Sequence, residues 1–160
     1  MLPSAVLLRG EGAELLRALA RGLHRVVDRR ADAPRLEGVE TGDRFSRLAA
    51  TWSAKTSGHY AFNDVHAVMA LAGAGRLEDA ERVRADMRRS LDAGGDNRAM
   101  TLEVGLPLVE ALIAFEAGRY GETVDKILPV RGLAQRFGGS HAQRDVLTLT
   151  ALTAAIKGGF

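Results

Sequence analysis

The apolar positions of this chain recur at steps of three and four residues, and nowhere do they alternate with polar ones over a strand length without also fitting a helical period. That spacing predicts an all-α protein. In residues 12–30, Leu15, Leu16, Leu19, Leu23, Val26 and Val27 make one stripe while Arg17, Arg21 and Arg25 stand on another face, as on an amphipathic surface helix. After a connector around Pro34, Gly38 and Gly42, Thr41 or Asp43 is placed to cap a helix whose buried stripe is Phe45, Leu48, Ala49 and Trp52. Broad and narrow apolar segments then alternate. Residues 60–74 are apolar around most of their circumference, whereas 77–91 carry the single stripe Leu77, Ala80, Val83, Met87 and Leu91. Residues 97–117 are broadly apolar again, 120–137 form a more polar partner, and 140–157 begin a third such pair. Each broad helix is expected to be buried and each narrow one to cover it.

The turns repeat with the helices. Gly75-Arg76-Leu77-Glu78, Gly118-Arg119-Tyr120-Gly121 and Gly158-Gly159-Phe160 stand between partners, with glycines 75, 118 and 158 at intervals of 43 and 40 residues. These intervals suit helical hairpins somewhat longer than the minimal repeat of about 34 residues. In each turn a glycine is expected to close the first helix in the left-handed conformation that costs other residues dearly. Gly105 and Pro107 predict a bend or a close helix contact, because proline lacks the backbone donor and crowds the preceding turn.

Four segments occur in a recognisable order: LEGVETGDRFSRLAATW from Leu36 to Trp52, HYAFNDVHAVMALAGAGR from His59 to Arg76, VGLPLVEALIAFEAGRY from Val104 to Tyr120, and GGSHAQRD from Gly138 to Asp145. Together they resemble the C-terminal part of the tetratricopeptide repeat protein 38-like family, over most of residues 36–157. The resemblance implies an α-α superhelix of stacked helical hairpins, TPR-like, whose concave face receives proteins or peptides. It brings no named biochemical activity, so the expectation is a binding scaffold and not an enzyme. The chain is expected to form a single domain, with residues 1–35 as an N-terminal helical extension and 36–160 as the repeats. Relatives are usually much longer, and residues up to about 30 lie outside the resemblance.

Composition adds exclusions. Lys and Arg total 22 against 20 Asp and Glu, a net charge of +2 that gives no reason to expect nucleic acid. There is no cysteine, so disulfides and thiolate metal sites are absent, which suits a cytoplasmic protein. The opening MLPSAVLLRGEG has no basic residue ahead of its short apolar run and reaches Arg9 too soon for a leader or a membrane span. The basic run Arg76, Arg82, Arg84, Arg88 and Arg89 is interleaved with Glu78, Asp79, Glu81 and Asp86 and reads as a solvated outer face.

Candidate binding residues are Asn63, His66, Glu103, Glu110, His141 and Arg144. Asn63 and His66 are one turn apart beside Ala67 and Ala70, so small side chains flank two polar ones as in a groove. Glu103 and Glu110 are seven residues apart on one helix face, where they are either solvated or paired with arginines of adjacent helices. In GGSHAQRD, Ser140 and Gln143 have the spacing of a capping box, Asp145 suits the positive end of the helix, and His141 and Arg144 project where anions are favoured. The rival chemistry is a small metal- or histidine-dependent hydrolase using Asp64, His66 and His141. No HExxH, phosphate loop or nucleophile elbow accompanies them, and no cofactor is expected. With no further helix to cover the last one, Leu149, Leu152 and Ile156 are expected to form an exposed apolar strip, and the protein to be a homodimer or higher oligomer.

Overall fold

A computed structural model describes residues 43–137 and 141–160, apart from the side chains at 137, 141 and 142. Every regular element among them is helical: α1 (Arg44–Ser53), α2 (Ala61–Gly73), α3 (Leu77–Ala93), α4 (Arg98–Met100), a π-helical segment (Thr101–Gly105), α5 (Leu106–Glu116), α6 (Tyr120–Arg131), a 3-10 turn (Ala134–Phe137) and α7 (His141–Gly158). The helix expected at 12–30, the connector around Pro34 and the caps from Thr41 and Ser140 lie outside the described residues. No helix among the described residues is long and apolar enough to cross a membrane.

The broad-and-narrow alternation is realised in the packing. α2 packs against α1, α3 and α5; α3 packs also on α5; α6 joins α5 to α7. α2 buries Val65, Ala67, Val68, Ala70, Leu71 and Ala72, and α5 buries every residue from Leu106 to Phe115 except Pro107 and Glu110. α3 buries only Ala80, Val83 and Met87, the middle of its predicted stripe. α1 is peripheral: Ala49 is buried and Phe45 and Trp52 half-buried, but Leu48 is 50% exposed. Asp43 precedes this helix without a side-chain capping bond.

Three successive broad helices end in the same turn. Gly75 N–H donates to Ala72 O and Arg76 N–H to Leu71 O; Gly118 to Phe115 and Arg119 to Ala114; Gly159 to Ile156 and Phe160 to Ala155. The three glycines have φ of +75°, +74° and +74°, so each turn is a Schellman motif built on a residue without a Cβ. The third hinge is therefore Gly159 and not Gly158, because it is the Gly159 N–H that bonds three residues back and the N–H after it that bonds five back. In the first two turns the arginine guanidinium also holds the acid three residues on, Arg76 to Asp79 at 2.6 Å and Arg119 to Glu122 at 2.7 Å.

Two expected helices are interrupted. The rod over 97–117 contains the π segment, where Leu106 N–H reaches back five residues to Thr101 O. Pro107 has no N–H to give Glu103 O and its ring would press on that carbonyl, so widening the turn by one residue relieves both problems. The helix over 120–137 stops at Arg131, after Pro129 and before Gly132, and continues through the three-residue bonds Leu133 N–H to Val130 O and Arg136 N–H to Leu133 O, both 2.9 Å. On α7, Leu152 is 8% exposed and packed, Leu149 is half-buried, and Ile156 alone of the expected strip stands out at 67%.

Candidate functional site

Along α2, Phe62, Val65, His66 and Met69 fall at steps of three, one and three, which brings them onto one side of the helix. That side faces Leu108 of α5, Ala134 of the 3-10 turn, and Gln143, Arg144 and Leu147 of α7, and these nine residues enclose a small apolar cleft. Three helices from distant parts of the chain thus meet at His66 and Arg144. The imidazole is held at both ends. Its Nδ1 lies 2.7 Å from Phe62 O, and since a carbonyl only accepts, Nδ1 carries the proton. Nε2 is then the acceptor for the Gln143 amide at 3.1 Å. The Phe62 ring, 4.3 Å from the imidazole between centroids, fixes the tilt of the ring.

A second, polar cleft opens on the other side of Arg144. Its walls are Arg131 and Gly132 at the end of α6, Gln135, and Asp145 and Thr148 on α7, and its volume is about 340 Å³. The apolar cleft has about 20 Å³, room for one water-sized group. Arg144 lines both, so the two are parts of one surface.

The other expected residues are placed elsewhere. Asn63 is exposed and lies outside the cleft wall, which uses the 62/65/66/69 side of α2 rather than the 63/67/70 side. Glu103 pairs with Arg136 at 3.2 Å. Glu110 is clamped between Arg88 Nη2 of α3 at 2.5 Å and Lys126 Nζ of α6 at 2.6 Å. The π turn explains why the two glutamates part company: seven residues of pure α-helix return to the same face, but the extra residue in a widened turn rotates everything after it. The His141 side chain lies outside the described residues.

Asp64 is turned away from His66 toward the α1–α2 connector, where its Oδ1 accepts the Gly58 N–H at 3.0 Å. Gly58 has φ +84° and sits against α3 so closely that a Cβ would come within 2.9 Å of Asp86 O, while Ser57 donates to the Asp86 carboxylate. The Asp64 carboxylate therefore anchors a connector, and among the described residues no group of three His, Asp or Glu is gathered that would hold a metal ion.

Gln143, read from sequence as a capping partner, is a polar residue that joins α7 to α2. The signal for the cleft was present in the Phe62/His66 spacing, but nothing local in the sequence pairs His66 with a residue 77 positions away.

Burial moves the Asp64 and Glu110 carboxyls in the same direction, yet they end on opposite sides of their ordinary range. Burial pushes Asp64 up, and the Gly58 hydrogen bond and His59 only partly offset it. Burial also pushes Glu110 up, but the hydrogen bonds and charges of Lys126 and Arg88 prevail and hold it below. A depressed carboxyl contributes stability that is present above the unfolded pKa and lost as pH falls through the folded one; a raised carboxyl costs stability as pH rises and it ionises. Glu110→Gln is thus expected to lower the urea midpoint at pH 7, and Asp64→Asn, which keeps an acceptor for Gly58, to raise it. Both differences from the wild type should close as the medium becomes acidic enough to protonate the carboxyls. An Asp64→Asn midpoint below the wild type at pH 7 would mean that the carboxylate bond outweighs its burial.

No family model matches the chain. Nor does any solved structure.

Proposed function

We propose that this protein is a TPR-like scaffold that binds an extended protein or peptide segment along the concave side of its stacked helical hairpins. The observation that carries this reading is the convergence of α2, α5 and α7 on one cleft with His66 and Arg144 in its wall. It is supported by the matching Schellman turns at Gly75 and Gly118, which give the α2–α3 and α5–α6 hairpins the same reversal, and by side-by-side packing of neighbours in chain order. Pieces of a solenoid stacked in this way present the inner helices as a continuous surface, and polar groups at wide sequence separation fall along it. Binding rather than catalysis fits His66, whose two ring nitrogens are already engaged by Phe62 and Gln143. The resemblance to the tetratricopeptide repeat protein 38-like family points the same way, and a cytoplasmic setting suits a chain without cysteine.

The test is affinity capture with the full chain. Partners retained by the wild type are expected to be lost from a His66→Ala/Arg144→Ala double variant whose circular dichroism and melting midpoint match the wild type. Undiminished capture by the folded double variant would rule this cleft out as the binding surface.

A further inference from the structure

α1 stands ahead of the inner helix α2 as α3 stands ahead of α5 and α6 ahead of α7, which gives it the place of a covering helix. Its counterparts each cover two inner helices, α3 packing on α2 and α5, and α6 on α5 and α7, whereas the packing of α1 among the described residues is on α2. On that side Ala49 is buried, and Phe45 lies so close to Gly73 that a Cβ there would collide with its ring. Leu48 stands on the neighbouring flank of α1 and is 50% exposed. Trp52, one turn further on, is only half-buried, with Lys55 Nζ over its ring at 4.4 Å. A lone exposed leucine is ordinary on a protein surface. Here it falls where the order of the stack, inner helix then covering helix, leaves an inner helix out.

We propose that residues 12–30 dock as a helix on this flank of α1 through the stripe Leu15, Leu16, Leu19, Leu23, Val26 and Val27. The segment lies before α1 in the chain as α2 lies before α3 and α5 before α6. The twelve residues 31–42 that join it to α1 span about 40 Å when extended, several times the roughly 9 Å between packed helix axes. A tethered segment meets its site within the same molecule, ahead of any second copy. Charge selects the side that approaches: Arg44 and Arg47 are exposed on α1, so the rib Arg17, Arg21 and Arg25 is repelled and the leucine stripe is not. Residues 12–30 make about 28 Å of helix, enough to cover the ten residues of α1 from end to end. Docked in this way the segment is the inner helix of a first hairpin, and α1 gains two partners like α3 and α6. The docking is independent of the His66 cleft and of what binds there.

The chain has no cysteine, so introduced pairs read the docking without background. In the full-length protein Leu48→Cys is combined in turn with Leu16→Cys, Leu19→Cys, Leu23→Cys or Val27→Cys on the stripe, and with Arg17→Cys, Arg21→Cys or Arg25→Cys on the rib. A disulfide needs Cα atoms within about 7 Å, and a loose tether would bring stripe and rib to Leu48 equally often. The fastest stripe pair is expected to close within the chain at least about tenfold faster than the fastest rib pair, because only one side of a docked helix comes within that distance. Trp52, the one tryptophan of the chain, gives a second reading. Leu19→Asp/Leu23→Asp should move its emission to longer wavelength, and Arg21→Asp should leave it in place. Equal closure from stripe and rib overturns the docking, as does Trp52 emission indifferent to the stripe substitutions. Disulfides formed between chains would overturn it in favour of a second copy as the cover of α1.

Discussion

Leu108→Ala is expected to lower the unfolding free energy by about 2–5 kcal/mol, the cost of removing a buried leucine side chain and leaving a cavity. Leu108 is 1% exposed and belongs to the main hydrophobic cluster, where α2, α3, α5 and α6 contribute Val65, Met87, Val109 and Ile127. Unlike most of that cluster, it also forms part of the wall of the small apolar cleft. Truncation therefore does two things at once: it removes core contacts and it enlarges the small apolar cleft beside His66. Urea unfolding should show a lower midpoint with an unchanged slope, since the surface exposed on unfolding is nearly the same. A loss below about 1 kcal/mol would show that α2 and α5 collapse onto the gap, a possibility that the spread of such measurements allows for at some sites.

Gly105→Ala is expected to destabilise the protein, although alanine is ordinarily the better helix residue by about 1 kcal/mol. Gly105 has ordinary helical dihedrals, so no backbone strain is at issue. The obstacle is space: a Cβ there would meet Ala61 Cβ at 2.9 Å and Met87 Cε at 3.0 Å. The methionine end swings aside readily, but Ala61 is the first residue of α2 and its Cβ moves only with the helix. Forcing α2 away from the rod costs about 1–3 kcal/mol by overpacking, which exceeds the propensity gain. Gly121→Ala is the control of opposite sign. Its new Cβ would meet only the tip of Phe160, Cζ at 3.3 Å, on a side chain that is half exposed. Relief of the glycine's backbone entropy should then stabilise by about 0.4–1 kcal/mol. A Gly105→Ala thermal midpoint at or above that of the wild type would show that the contact at Ala61 is looser than its geometry states.

The sequence alone foretold helices and faces wherever the cause is local. The stripe Ala80, Val83, Met87 is buried because residues three and four apart share a side, and that holds whatever the helix packs against. The turns at Gly75, Gly118 and Gly159 were legible because a Schellman motif is closed by bonds within six residues and requires a left-handed residue at a fixed place. Even there, the choice between Gly158 and Gly159 depended on where α7 ends. The signs of Asp64 and Glu110 were not legible, since each depends on what burial brings beside it.

What tertiary structure decided is what depends on distance in space between residues remote in sequence. Pro107 announced a disturbance, but the π turn that answered it rotated Glu110 away from the face of Glu103 and toward Arg88 and Lys126, 22 and 16 residues away. The groove side of α2 shifted from Asn63, Ala67 and Ala70 to Phe62, Val65 and Met69 because that is the side on which α5 and α7 arrive. Periodicity gives a helix its apolar side without saying which neighbour will cover it. Only the packed arrangement brings His66 to Gln143 and sets Arg144 between a small apolar cleft and a larger polar one.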